Sequence, residues 1–191
     1  MLEKQQSIQI FSDAGALLKG HFSLTSGRHS NQYMQCAQVL KFPAYTEQLA
    51  RHLAEVFRDE KVELVIGPAM GGIVVAYEVA RQLGVAAMFT ERENGAMALR
   101  RGFYIEPGQR VLVVEDVVTT GGSVKEVLEV VEQRGGKVVG VGVLVDRSNG
   151  TVDFGVKQAA VLSLDITSWE PEACPLCQEG KLPVLKPGSR A

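Results

Sequence analysis

The chain is poor in cysteine, with three in 191 residues, at positions 36, 174 and 177. That number cannot build a disulfide framework in a chain of this length, so the sequence reads as a protein of a reducing cytoplasm. Apolar runs are short, and none approaches the roughly 20 residues of a membrane span. The opening MLEKQQSIQIFSDAGALLKG mixes charges with apolar residues and lacks a signal-peptide core. Net charge is also scarce, at −2, so no global basic field draws the chain to nucleic acid or to a membrane. No internal repeat or low-complexity segment occurs. No Lys-Ser/Thr follows a glycine-rich loop, which excludes a Walker A site. No GxGxxG follows a strand, which argues against a dinucleotide site.

What remains is ordinary globular material, 46% apolar and 22% charged, in a chain long enough for one domain with a small appendage. Apolar spacing predicts an N-terminal helix over 8–18, ended by Gly20, and a second helix over 43–59 with Pro43 near its first position. Between them, HFSLTSGRHSNQYMQC reads as two short strands around a Ser-Gly turn. Strands are then predicted at 62–66, 85–90, 110–114, 137–145 and 159–164, with helices at 72–83 and 122–133. The strands are continuous apolar runs, which indicates burial on both faces. Their alternation with helices predicts an α/β fold with a mainly parallel sheet. The pattern lapses over ERENGAMALRRGFYIEP, which is either a hairpin or a mobile flap. The tail WEPEACPLCQEGKLPVLKPGSRA lies outside the sheet pattern.

The stretch VLVVEDVVTTGGSV, residues 111–124, carries the chemistry. Ligands of open α/β sheets bind at the carboxyl ends of strands, and the strand at 110–114 leads there directly to Glu115 and Asp116. The loop beyond them runs into a helix start, whose unpaired N–H groups and positive dipole end favour an anion. Glycines let the backbone approach that anion closely, and Thr119, Thr120 and Ser123 add hydroxyl donors. Acids and turn are about four residues apart in the sequence. That suits a sugar whose hydroxyls rest on the carboxylates while its 5-phosphate rests on the turn. Acids beneath a sugar ring would also stabilise an oxocarbenium-like transition state. The plainer alternative is an ordinary βα turn.

The same stretch resembles the 5-phosphoribosyl-1-pyrophosphate (PRPP) signature of type I phosphoribosyltransferases. GHFSLTSGRHSNQYMQ resembles the N-terminal hood segment of the orotate phosphoribosyltransferases. GPAMGG (67–72) resembles their pyrophosphate loop, and VDRSNG (145–150) the segment whose Arg meets orotate's carboxylate. The resemblance implies a single type I phosphoribosyltransferase domain over 1–191, with residues 1–40 contributing the hood, 91–107 a flap and 168–191 a tail. It implies transfer of the phosphoribosyl group from PRPP to orotate in pyrimidine biosynthesis. It further implies Mg²⁺ held through PRPP, with no protein side chain as a direct metal ligand, and a homodimer.

By the same resemblance Glu115, Asp116 and Arg92 are catalytic. Thr119, Thr120, Gly121, Gly122, Ser123, Ala69, Met70, Gly71 and Gly72 bind PRPP, with a strained, cis-prone peptide at 69–70. Arg147, Thr119, Tyr33, Met34, Ser26 and Gly27 bind orotate. Arg147 offers the bidentate geometry a carboxylate needs; its alternative is a surface ion pair with Asp146 or Asp153. Tyr33 can stack on a planar base or simply pack the hood. A purine phosphoribosyltransferase and a non-catalytic PRPP sensor are the competing functions; the first has no use for the hood or Arg147, and the second has no room for a DNA-binding domain.

The sequence departs from the family at several cations. Lysines common in the family are replaced by Thr25 in the hood and Gly71 in the pyrophosphate loop, and NGAMAL in the flap holds no base. Arg92, Arg100 and Arg101 are the flap's only cations. Arg92 is the first candidate to meet the leaving pyrophosphate, by reaching across a dimer interface as flap residues of the family do. Arg100 and Arg101 could equally be a solvated hairpin edge. In the tail, CPLC supplies half of a zinc set. Cys36 with His21, His29 or His52, or a partner chain, could complete it; the alternative is a compact turn packing the tail.

Overall fold

The computed structural model describes residues 1–24 and 26–187. Thr25 and residues 188–191, which enter the expectations above, lie outside the described residues. The first helix, α1 (Lys4–Asp13), opens with the Glu3 amide donating to the Gln6 side chain at 3.0 Å and buries Ile10 and Phe11. It stops well short of the predicted end at 18. Gly15, at φ 66°, turns the chain, and Leu17 and Leu18 enter a strand, β1 (Leu17–Ser23). That strand pairs antiparallel with β2 (His29–Met34), Leu17 opposite Met34. Cross-strand pairing outweighs the helical spacing here, and Gly20 lies inside the strand rather than ending a helix.

A short helix, α2 (Ala37–Leu40), leads to α3 (Pro43–Val56). The helix predicted to 59 closes at Val56, and residues 58–60 form a separate 3₁₀ turn. There follow β3 (Leu64–Pro68), α4 (Gly71–Leu83), β4 (Ala86–Glu93), β5 (Ala96–Leu99), β6 (Arg110–Val118), α5 (Gly122–Gln133), β7 (Lys137–Asp146) and β8 (Gln158–Ser163). The chain ends with β9 (Ser168–Trp169) and α6 (Pro175–Glu179). The main sheet has the order β5-β4-β3-β6-β7-β8. All its neighbours are parallel except β4 and β5. Strands β1, β2 and β9 form a separate antiparallel sheet, the hood.

Burial explains the unbroken apolar runs. Val111, Leu112, Val113 and Val114 are all fully buried, but they alternate in direction. Leu112 and Val114 pack with Val65, Leu49, Leu53 and Val79 beneath α3 and α4. Val111 and Val113 pack with Leu64, Ile66, Val127 and Val131 beneath α5. Each such side chain contributes about 1.5–3 kcal/mol relative to exposure, so the sheet is held from both faces. The flap segment resolves as a hairpin: β4 runs on to Glu93, Asn94 and Gly95 turn at positive φ, and β5 returns with Arg92 opposite Met97.

Candidate active site

Two strand-to-helix loops meet at the carboxyl edge of the sheet, one between β3 and α4 and one between β6 and α5. The acidic pair sits differently from the sequence expectation. Strand β6 does not end at Val114 but continues to Val118, pairing Glu115 with Val143 and Val118 with Asp146. The acids therefore lie within a strand, and successive strand residues face opposite sides. Glu115 faces the α5 side and lines the cleft there. Asp116 faces the α4 side, so close to Gly71 that any Cβ at that position would collide with its carboxylate oxygen. This contact accounts for glycine at 71.

Both acids are largely desolvated, and burial pushes both carboxyls above the ordinary range. The proximity of Asp116 raises Glu115 further, while the Asp116 amide donates to Glu115 Oε1 at 3.0 Å. A buried pair of this kind calls for hydroxyl donors or a cation opposite it. Beneath it lies Cys36, whose thiol donates to the Asp116 carbonyl at 3.7 Å and is raised chiefly by burial.

The loop from Thr119 to Gly121 leads into α5. Gly121 has φ 75°, and a Cβ there would stand 2.8 Å from Val152 Cγ1. Only glycine suits both the dihedral and the space. The first-turn amides of α5 have no intrahelical carbonyl to bond, and they face a cleft of about 210 Å³. Its walls are Glu115, Thr119–Ser123, Arg92 and Glu126. On the other loop, the Ala69–Met70 peptide is cis, and Gly71 and Gly72 open α4. Met70 is exposed at that turn.

Arg147 follows β7, and its amide donates to the Val118 carbonyl at 2.8 Å, which holds it beside the loop that leads into α5. Its Nε is buried without a hydrogen-bond partner, and among the described residues no carboxylate pairs with it. Burial pulls its guanidinium below the ordinary arginine range, opposed by Tyr33 and Cys36 nearby. The alternative ion pair is not made. Asp146 accepts from the Ser148 amide, and Asp153 from the Gly155 amide and Gln158. Tyr33 also packs on Phe22, with ring centroids 5.8 Å apart. Met34 is buried in the core, so only its backbone can meet a ligand. Ser26 and Gly27 form the exposed hood tip, where the Gly27 amide is committed to the Leu24 carbonyl at 2.9 Å. The structure thus gathers Arg147 and Tyr33 but does not tie Ser26 or Gly27 to the cleft.

Arg92 lines the cleft of its own chain, bonded to Glu126 at 2.8 Å and to the Gly95 carbonyl at 2.7 Å. Arg101 makes a two-pronged pair with Glu91, and Arg100 lies 3.3 Å from Glu93, so these two belong to the hairpin edge. Sequence reasoning missed Glu126. Its position four residues after Gly122, on the first exposed turn beyond the loop, was the available signal.

Comparison with known proteins identifies the family. The sequence profile of the phosphoribosyl transferase domain matches residues 35–169. The chain is 60% identical over 189 residues to the orotate phosphoribosyltransferase of Desulforamulus reducens, covering 99% of this chain and 98% of that one. It is 61% identical over 191 residues to that of Heliobacterium modesticaldum, covering 99% and 100%. Its fold superposes on the crystal structure of orotate phosphoribosyltransferase from Aeropyrum pernix with a TM-score of 0.71, at 30% identity, over 82% of this chain and 92% of that one.

Proposed function

Because the chain belongs to the orotate phosphoribosyltransferase family, we propose that its ligand edge holds PRPP and orotate side by side, with the residue roles that follow. The protein is an orotate phosphoribosyltransferase of pyrimidine biosynthesis. The 5-phosphate of PRPP docks on the amides and hydroxyls of Thr119, Thr120, Gly121, Gly122 and Ser123. Glu115 meets the ribose hydroxyls from the phosphate side and Asp116 from the side of the pyrophosphate loop. Ala69, Met70, Gly71 and Gly72 wrap the pyrophosphate. Arg147 takes orotate's carboxylate, Tyr33 stacks on its ring, and Thr119 with the backbone at Ser26, Gly27 and Met34 borders it. The cleft in which buried Glu115 faces the open first turn of α5 carries this reading.

Transfer then needs no covalent enzyme intermediate. The bond from ribose C1 to the pyrophosphate oxygen breaks, and pyrophosphate leaves with the electron pair. C1 gains positive character above Glu115 and Asp116, and the orotate ring nitrogen forms its bond to C1 from the opposite face. Positioning and charge stabilisation supply most of the acceleration. Mg²⁺ held through PRPP suits this site: two hard carboxylates, Glu115 buried and Asp116 half-buried against the pyrophosphate loop, would face the ribose hydroxyls that carry it. When bound through PRPP, it would neutralise charge on the leaving group. Arg92 is the nearest cation on the flap for the same task, once it exchanges Glu126 for the ligand.

The homodimer is supported by Met70, at the N-cap of α4, and Val74 and Tyr77 on that helix, apolar residues exposed at helical spacing. The cytoplasmic assignment rests on three unpaired cysteines. Among the described residues, no helix is long and apolar enough to cross a membrane. The roles are tested by following orotate's ultraviolet absorbance with PRPP and Mg²⁺, using adenine, xanthine and uracil as controls. Asp116→Asn should lower turnover at least about tenfold with the melting curve preserved; near-normal turnover would remove Asp116 from its role.

A further inference from the structure

We propose that His21, His29, Cys174 and Cys177 form a tetrahedral zinc site that fastens the C-terminal segment to the hood. The ligand atoms of the four residues all lie within 4.8 Å of one another. His21 Nε2 is 3.0 Å from His29 Nδ1. Cys174 Sγ is 3.5 Å and Cys177 Sγ 3.6 Å from His21 Nε2, and Cys177 Sγ is 3.2 Å from His29 Nδ1. Zinc bonds of about 2.0–2.1 Å to nitrogen and 2.3 Å to sulfur at tetrahedral angles place donor nitrogens ~3.3 Å apart and nitrogen and sulfur ~3.5 Å apart. These four separations fall near those edges and the remaining pairs stay within 4.8 Å, so one ion fits among the four atoms once the widest pair draws in. Two thiolates and two neutral imidazoles in this geometry suit zinc better than the oxygen-seeking divalent ions.

The surroundings support a metal over a chance cluster. His21 and Cys174 are almost wholly buried, and buried polar atoms without full partners are costly. His21 Nδ1 lies 3.3 Å from the Leu182 carbonyl. Donation there fixes the tautomer that leaves Nε2 free for a metal, the arrangement of a ligating histidine held by a backbone acceptor. Cys174 caps α6 and Gly180 closes it at φ 63°, so CPLC forms a tight turn that presents both sulfurs to the hood. The other ligands considered from sequence are committed elsewhere. Cys36 lies behind Asp116, and His52 Nδ1 accepts from the Leu2 amide at 3.1 Å.

The site sits where the tail is sewn to the hood. The Ser23 amide donates to the Leu185 carbonyl at 2.8 Å, and the Leu185 amide to the His21 carbonyl at 2.8 Å. Strand β9 pairs with β2, His29 opposite Trp169. The hood tip with Ser26 and Gly27 lies in the chain between the two histidines. Zinc would hold both legs of that turn, so its removal should loosen the orotate side of the active site more than the PRPP side. That last consequence, unlike the metal site, rests on the residue roles proposed above.

The test is elemental analysis of the full-length protein purified from zinc-containing medium under reducing conditions. About one equivalent of zinc per chain is expected, as four protein ligands around one ion require. Exchange with Co²⁺ should give the visible bands of a tetrahedral thiolate site, and Cys177→Ser, which removes an exposed sulfur, should lose them. Stripping zinc with a chelator should lower the melting temperature and raise KM for orotate more than KM for PRPP. A protein that neither carries zinc nor takes it up in titration would overturn the site, as would a Cys174–Cys177 disulfide in the reduced preparation. Full zinc content in a Cys174→Ser, Cys177→Ser double variant would overturn it too. Zinc bound with both KM values unchanged on stripping would leave the site standing and remove its link to orotate.

Discussion

Arg147 offers a two-sided test, because its half-buried guanidinium is costly in the free protein and, in the proposed role, useful in the complex. Its Nε is buried and unpaired, and among the described residues no carboxylate answers its charge. Orotate's carboxylate would satisfy two N–H donors at once. Hydrogen bonds to charged groups contribute about 1.5–3 kcal/mol each, and each 1.36 kcal/mol is about tenfold in rate. Arg147→Lys keeps the charge and loses one of the two bonds. It should therefore lower kcat/KM for orotate roughly ten- to 150-fold, chiefly through KM. Arg147→Met keeps the volume and removes the orphaned donor. Its unliganded melting temperature should equal or exceed that of the parent, since an unsatisfied buried donor costs about 1–3 kcal/mol. Initial rates from orotate absorbance, with PRPP saturating, and thermal melts without ligand measure the two sides. An Arg147→Lys enzyme within about twofold of the parent would refute a carboxylate contact. An Arg147→Met protein that melts well below it would show that the side chain serves the fold.

The acidic pair predicts an unusual pH dependence. Burial raises both carboxyls in the folded chain, so the fold binds their protons more tightly than the unfolded chain does. Stability from the pair is therefore full at acid pH and falls as pH rises from the ordinary carboxylate range through the raised values. Glu115→Gln should melt above the parent at neutral pH, with the gain shrinking on acidification, while turnover falls; a gain that grows on acidification would contradict the sign. Gly71→Ala forces the Asp116 carboxylate aside, and a displacement near 1 Å at a reacting centre can cost about 100-fold. Steady-state kinetics should show a loss approaching that size with the melt nearly unchanged, and parental turnover would show that Asp116 has another workable position. Tyr77→Glu places a charge on the exposed apolar stripe of α4 and should shift the protein from dimer to monomer in light scattering, whereas an unchanged mass would locate any interface elsewhere.

Much of this was legible in the chain because it follows from local rules. The apolar run at 111–114, the glycines at 121–122 and the helix beyond them declare a βα turn whatever the neighbours do. The resemblance then made that βα turn the proposed PRPP site. The misreadings came from tertiary pairing. Leu17 and Leu18 satisfy a helical spacing, yet β2 offers them a ladder. Val117 and Val118 read as loop, yet Val145 and Asp146 extend β6 past the acids. That extension divides Glu115 from Asp116 across the strand, which no spacing rule shows. The histidines of the hood and the cysteines of the tail are separated by some 145 residues of sequence, so their convergence is visible only in three dimensions. Glu126 was missed for a similar reason, since its meaning depends on Arg92 folding back over α5.

The central claim is that one sugar phosphate lies along residues 115–123. A crystal structure with PRPP bound tests it directly. The account predicts the 5-phosphate against the amides of residues 119–123, the ribose hydroxyls against Glu115 and Asp116, and the pyrophosphate against residues 69–72. PRPP bound elsewhere with the loop at 119–123 empty would contradict it.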